Sequence, residues 1–107
     1  MKAVDIIIKK IDESGMTQNE AAKLVGVSRQ NLWDKLNKGN PRFNSMERIM
    51  NAFGYEIRIR GSFGMEPSFN QQQFFETIRE QNPGYDMLES IVSAMDYKLE
   101  IVEKAGK

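Results

Sequence analysis

The chain has 107 residues, 40% of them hydrophobic, which suffices for a modest core and leaves little room for a large enzyme with a deep pocket. It contains neither cysteine nor histidine, so disulfides, thiolate or imidazole metal sites, a thiol nucleophile and the commonest general base are excluded; no catalytic centre, metal or other cofactor is expected. The formal net charge of zero conceals an asymmetry: residues 1–60 carry 11 Lys and Arg against 7 Asp and Glu (+4), and residues 61–107 carry 4 against 8 (−4).

The apolar run Ile6, Ile7, Ile8 is shorter than a signal-peptide core and is followed by Lys9 and Lys10, so a cytoplasmic protein without membrane contact is expected. Val4, Ile7, Ile8 and Ile11 follow the spacing of one helical face and predict a first helix ending at "ESG". Thr17 opens "TQNE", a capping box for a second helix carrying Ala21, Ala22, Leu24 and Val25. Gly26 ends that helix and Ser28 caps a third, about residues 29–37, which buries Leu32 and Leu36 and stops at "NKGNP". A corner this short makes the two helices cross steeply, leaving the first turn of the third exposed. Asn44 and Glu47 predict another capping box, ahead of a fourth helix with Met46, Ile49, Met50 and Phe53 inward; after Gly54, "YEIRIR" alternates like a half-buried strand.

"GSFGMEPS", residues 61–68, is expected to be a linker, and beyond it the chain repeats itself at an offset of 42 residues without a gap. Gln30, Asn40, Pro41, Glu47, Ile49, Ala52, Tyr55 and Ile59 meet identical residues at 72, 82, 83, 89, 91, 94, 97 and 101, and Asp86 and Glu89 take the places of the cap pair Asn44 and Glu47. Like-for-like pairs include Leu32 with Phe74, Trp33 with Phe75 and Phe43 with Tyr85. The expected organisation is a unit over 1–60, a linker over 61–68 and a partial repeat over 69–107.

"MTQNEAAKLVGVSRQNLWDKLNKGN" resembles the helix-turn-helix of the lambda repressor/Cro-like (XRE-type) DNA-binding regulators, a likeness covering residue 1 to about residue 60. It implies a mainly α fold: a lambda-repressor-like helix-turn-helix bundle with a C-terminal strand, followed here by a half-repeat of two helices and a strand. It also implies double-stranded DNA as partner, a homodimer on a two-half-site operator, a role as repressor, and a phosphate contact from Gln18. The residues support a DNA contact in their own right. Ser28, Arg29, Gln30 and Asn31 present donors and acceptors suited to base edges in a major groove about 12 Å wide. Lys35, Lys38 and Arg42 are expected to add phosphate contacts. Trp33 is read as a partly buried packing residue and the seven Met as core filler.

The second copy lacks the first two helices, and the reading set changes: Arg29 becomes Gln71, Asn31 Gln73, Lys35 Thr77 and Lys38 Glu80. It is therefore expected not to read DNA. Its strand is expected to pair antiparallel with the first, placing Tyr55, Ile57, Arg58 and Ile59 against Tyr97, Leu99, Glu100 and Ile101, with Arg58 opposite Glu100 as a cross-strand charge pair. The alternative is a protein-interaction module working through the acidic half, with Phe74, Phe75 and Tyr85 as its apolar contacts.

Overall fold

The computed structural model describes residues 2–104. In order, these form α1 (Ala3–Ser14), α2 (Gln18–Val25), α3 (Arg29–Lys38), α4 (Phe43–Ala52), β1 (Tyr55–Arg60), a 3-10 turn (Ser62–Gly64), α5 (Gln71–Gln81), α6 (Tyr85–Ala94) and β2 (Lys98–Glu103). The molecule is mainly helical with one two-stranded antiparallel sheet, and no helix among the described residues is long and apolar enough to cross a membrane.

The inward face of α1 is Ala3, Ile7 and Ile11, whereas Ile8 is 42% exposed. The small Ala3 lets the helix lie close along its four-residue row, which turns Ile8, 100° further round, to the rim. The capping box at α2 forms as expected: Thr17 Oγ1 accepts from the Glu20 amide at 3.1 Å and Glu20 Oε1 from the Thr17 amide at 2.9 Å. The Thr17 amide, and after it the Thr17 side chain, hold the Glu20 carboxyl below the usual carboxylate range.

The other two expected boxes do not form. Helices α4 and α6 start two residues early, at Phe43 and Tyr85, so Asn44 and Asp86 lie inside the first turn and cannot cap it. The acceptors come instead from the opposite copy: Asn82 Oδ1 takes the Asn44 amide at 3.0 Å, and Asn40 Oδ1 takes the Asp86 amide at 3.4 Å. The adjoining backbone repeats the exchange, with the Phe43 amide donating to Pro83 O (2.7 Å) and the Tyr85 amide to Pro41 O (2.9 Å). Glu47, freed from capping, accepts from Nε and Nη2 of Arg79, a bidentate pair with both bonds at 2.8 Å.

These contacts obey a local two-fold axis. Arg42 bridges Gly84 and, in the sheet, Arg58 pairs with Glu100; both pairs join residues 42 positions apart (42 and 84, 58 and 100). The register runs from Tyr55 with Glu103 to Arg60 with Lys98, so Ile57 faces Ile101 and Ile59 faces Leu99, as the sequence predicts. Tyr97 lies outside: β2 starts at Lys98, and Tyr97 instead packs edge-on against Phe69, ring centres 5.4 Å apart. The expected charge pair is also displaced. Arg58 reaches Glu56 (3.2 Å) and Glu66 (3.4 Å), while Glu100 is paired by Arg60 at 3.4 Å, because a long side chain beside a twisted strand reaches its diagonal neighbour.

One hydrophobic cluster unites the copies, with Phe43 stacked on Phe75 at 5.6 Å. Residues 61–68 lie folded against β1: Glu66 binds Arg58 and Arg60, and the Gly61 amide donates to Met65 O at 2.7 Å.

Candidate nucleic-acid interface

The corner between α2 and α3 is fixed by three groups. Gly26 adopts a φ of 89°, which closes α2 through its amide to Ala22 O and which side-chain-bearing residues rarely take. Ser28 caps α3, its Oγ accepting from the Asn31 amide at 3.0 Å. Arg48, reaching across from α4, donates from Nε to Val25 O and from Nη2 to Gly26 O, both at 3.1 Å. It thereby satisfies carbonyls left open at the end of α2. Nothing in the periodicity singles out Arg48, since its partners lie 22 and 23 residues away.

With the corner held, Ser28, Arg29, Gln30 and Asn31 are all exposed, and Leu32 and Leu36 anchor the opposite side in the core. Hundred-degree steps from those two leucines place Gln30, Asp34 and Lys38 at the middle of the outward face and Asn31 on its flank; Arg29 falls nearer the leucine side and is exposed because it stands at the very start of the helix. Gln30 Nε2 donates to Asp34 Oδ1 at 3.0 Å. Both residues are exposed, and that bond uses neither Gln30 Oε1 nor the second Asp34 oxygen, a pair of acceptors with no other hydrogen bond among the described residues. Asp34 is the residue of this face that the sequence did not bring forward; the four-residue spacing from Gln30 on an exposed helix was its only signal.

Lys35 is half-buried and Lys38 exposed, and together with Asn31, Asp34, Asn40 and Arg42 they line a cleft of about 320 Å³ between α3 and the turn that follows it. Arg42 is partly committed elsewhere, since its Nη1 donates to Asn82 O at 2.8 Å and so closes the end of α5. Gln18 stands half-buried at the first position of α2, on the amino end of that helix. The capping box uses the amides of Thr17 and Glu20, so those of Gln18 and Asn19 keep no partner within the helix. Trp33 is 46% exposed rather than packed inside: it lies about 100° round from Leu32, and no partner ring covers it as Phe43 covers its counterpart Phe75.

The matching helix of the second copy has lost this character. Gln71, in the place of Arg29, turns inward and brackets the backbone of Ile59, accepting from its amide at 2.8 Å and donating to its carbonyl at 2.9 Å. The side-chain amide thus acts as one residue of a third strand on the open edge of β1. Phe75 and Tyr85 are buried and Phe74 is half-buried against Phe69, so packing consumes the aromatic set expected as a partner surface. Burial raises the Tyr85 hydroxyl pKa above its ordinary range.

Compared with protein-family models, with curated proteins and with solved structures, the chain matches none of them.

Proposed function

We propose that the protein is a sequence-specific DNA-binding regulator, acting by binding and not by catalysis, which inserts the first turn of α3 into the major groove. The observation that carries this is the exposed turn Ser28–Asn31, held rigid by the Ser28 cap and the Arg48 clamp beside a cleft of Lys35, Lys38 and Arg42. Arg29 supplies the forked donor that suits guanine. The Gln30 and Asp34 oxygens suit the exocyclic amino groups of adenine or cytosine, and Asn31 reaches the adjoining step. Lys35, Lys38, Arg42 and the free amides at the start of α2 with Gln18 then meet phosphates on either side.

One reading helix gives too small a contact for tight binding to a genomic site, so two chains on a two-half-site operator complete the proposal. A repressor role follows from the resemblance to lambda repressor/Cro-like regulators and from no other observation, and a cytoplasmic setting from the short apolar run followed by Lys9 and Lys10. The test is fluorescence anisotropy with a duplex selected from a randomised library on the wild-type chain, compared with random duplex over a salt series. Arg29→Ala should lose roughly tenfold or more on the selected duplex and little on the random one. Equal losses on both would refute base reading. Lys38→Ala should weaken both alike and flatten the salt dependence by about one unit of slope.

A further inference from the structure

Helix α6 turns an apolar stripe outward. Met87, Ile91 and Met95 stand at four-residue spacing along one side and at the end of the helix, and are 61%, 42% and 38% exposed. The internal repeat supplies the comparison, for the counterparts on α4 are Ser45, Ile49 and Phe53. There Ile49 is 1% exposed, because α1 and α2 lie across that side of α4. The second copy has no such pair of helices. Phe69, ahead of α5, covers Phe74 and Tyr97 and leaves the stripe open.

The methionines divide along the same line. Met46 and Met50 are buried in the first copy, while Met65, Met87 and Met95 are exposed in the second half. Core filling therefore accounts for the first group alone, and unbranched, polarizable side chains at a surface adapt readily to an apolar partner. Round α6 from the stripe, past Ser90 and Ala94, an open groove runs between α6, the start of α1 and the start of β2, with Asp5, Asp86 and Glu89 along it against Lys2 and Lys98. The half-molecule that carries the stripe has four more acidic than basic residues.

We propose that this side of α6 docks an amphipathic helix of another protein, aliphatic along one stripe and flanked by Lys or Arg, in the place that α1 and α2 hold on α4. Those helices show what apolar surface fits: they bury Ala3, Ile7, Ile11, Ala21 and Ala22 and expose charges of both signs, Lys9 and Lys23 with Asp5, Asp12, Glu13 and Glu20; the Lys or Arg flanks follow from the acidic excess of the half that carries the stripe. A second copy of the chain fits less well. Two such faces brought together would join two halves that each carry four more acidic than basic residues, and three side chains fall short of the roughly 800 Å² per partner of a stable dimer. A single docked helix needs only a few anchors at this spacing.

The test uses the full chain labelled at its methionine methyls, titrated with two synthetic helical peptides that share one Leu/Ile/Ala stripe and differ only in Lys or Glu at the flanks. The Lys peptide should shift the Met87 and Met95 signals, leave Met46 and Met50 in place, and bind about tenfold tighter than the Glu peptide. Ile91→Lys should abolish the shifts, and Met87→Lys, at the more exposed position, should do the same without touching the core. Absent shifts, equal affinity for both peptides or binding that survives both variants would overturn the proposal. So would a dimer in sedimentation that Ile91→Lys dissolves, which would give the face to a second copy. Neither outcome depends on whether the chain reads DNA.

Discussion

Asp34 illustrates how one side chain sets the chemistry of a surface. It is the only acid on α3, among Arg29, Lys35 and Lys38, and it holds the Gln30 amide by a 3.0 Å bond. On the proposed reading of α3 as the helix that meets DNA, an acid at its middle would oppose phosphate and cost general affinity, and would add a fixed orientation for Gln30. Asp34→Ala should therefore raise affinity for random duplex a few-fold and lower discrimination at the base beneath Gln30 by about 1 kcal/mol, roughly fivefold. Anisotropy on a set of single-base variants of the selected duplex measures both. If random binding stays unchanged and discrimination holds, Asp34 lies off the interface. At this scale the sequence made Ser28, Arg29, Gln30 and Asn31 legible, because capping and exposure at the head of a helix are local matters. It did not reveal that Gln71 turns inward to Ile59, since that bond depends on where α5 crosses β1.

Among the elements, the strand pair separates register from side-chain pairing. Arg58 and Glu100 are opposite one another in the backbone, yet the ion pair at Glu100 belongs to Arg60. A double-mutant cycle by urea denaturation should give Arg60 and Glu100 a coupling of roughly 0.5 kcal/mol, as expected for a partly exposed pair, and Arg58 and Glu100 nearly none. A larger coupling at Arg58 would restore the simple cross-strand pair. The register was legible because alternation in "YEIRIR" and the matching "YKLEI" fixes which face is apolar, and a one-residue slip would turn Ile57 and Ile59 outward. The starts of α4 and α6 were not. An Asn three residues before a Glu reads as a capping box, and only the proximity of the opposite turn shows that an external amide does the work.

For the molecule as a whole, the two "NP" turns act as a mutual clasp about the local two-fold. The halves of the clasp are unequal. Asn82 sits in the left-handed region at φ 49°, where Asn is tolerated far better than most residues, and its side chain holds the Asn44 amide at 3.0 Å. The corresponding bond from Asp86 to Asn40 is longer, 3.4 Å. Asn82→Ala should therefore cost about 1–2 kcal/mol of unfolding free energy and Asn40→Ala roughly 0.5 kcal/mol, read from thermal or urea unfolding. Equal costs would mean that the clasp is not governed by the left-handed turn. Because Arg42 also closes α5 through Asn82 O, loosening this corner in Asn82→Ala should disturb one wall of the basic cleft as well.

The sequence by itself determined the helices, the corner at Gly26, the strand register and the internal repeat, since each rests on periodicity, glycine conformation or identity at a fixed offset. Tertiary structure decided which groups serve which end. It assigned Arg48 to the corner, Asn82 and Asn40 to each other's helices, and Gln71 to the edge of β1. It also decided burial where a chain repeats without its neighbours: Ile49 and Ile91 are the same residue in the same pattern, and only the presence of α1 and α2 over one of them makes it core. Burial belongs to the surroundings of a residue, and a repeat that omits two helices repeats the residue without repeating the surroundings.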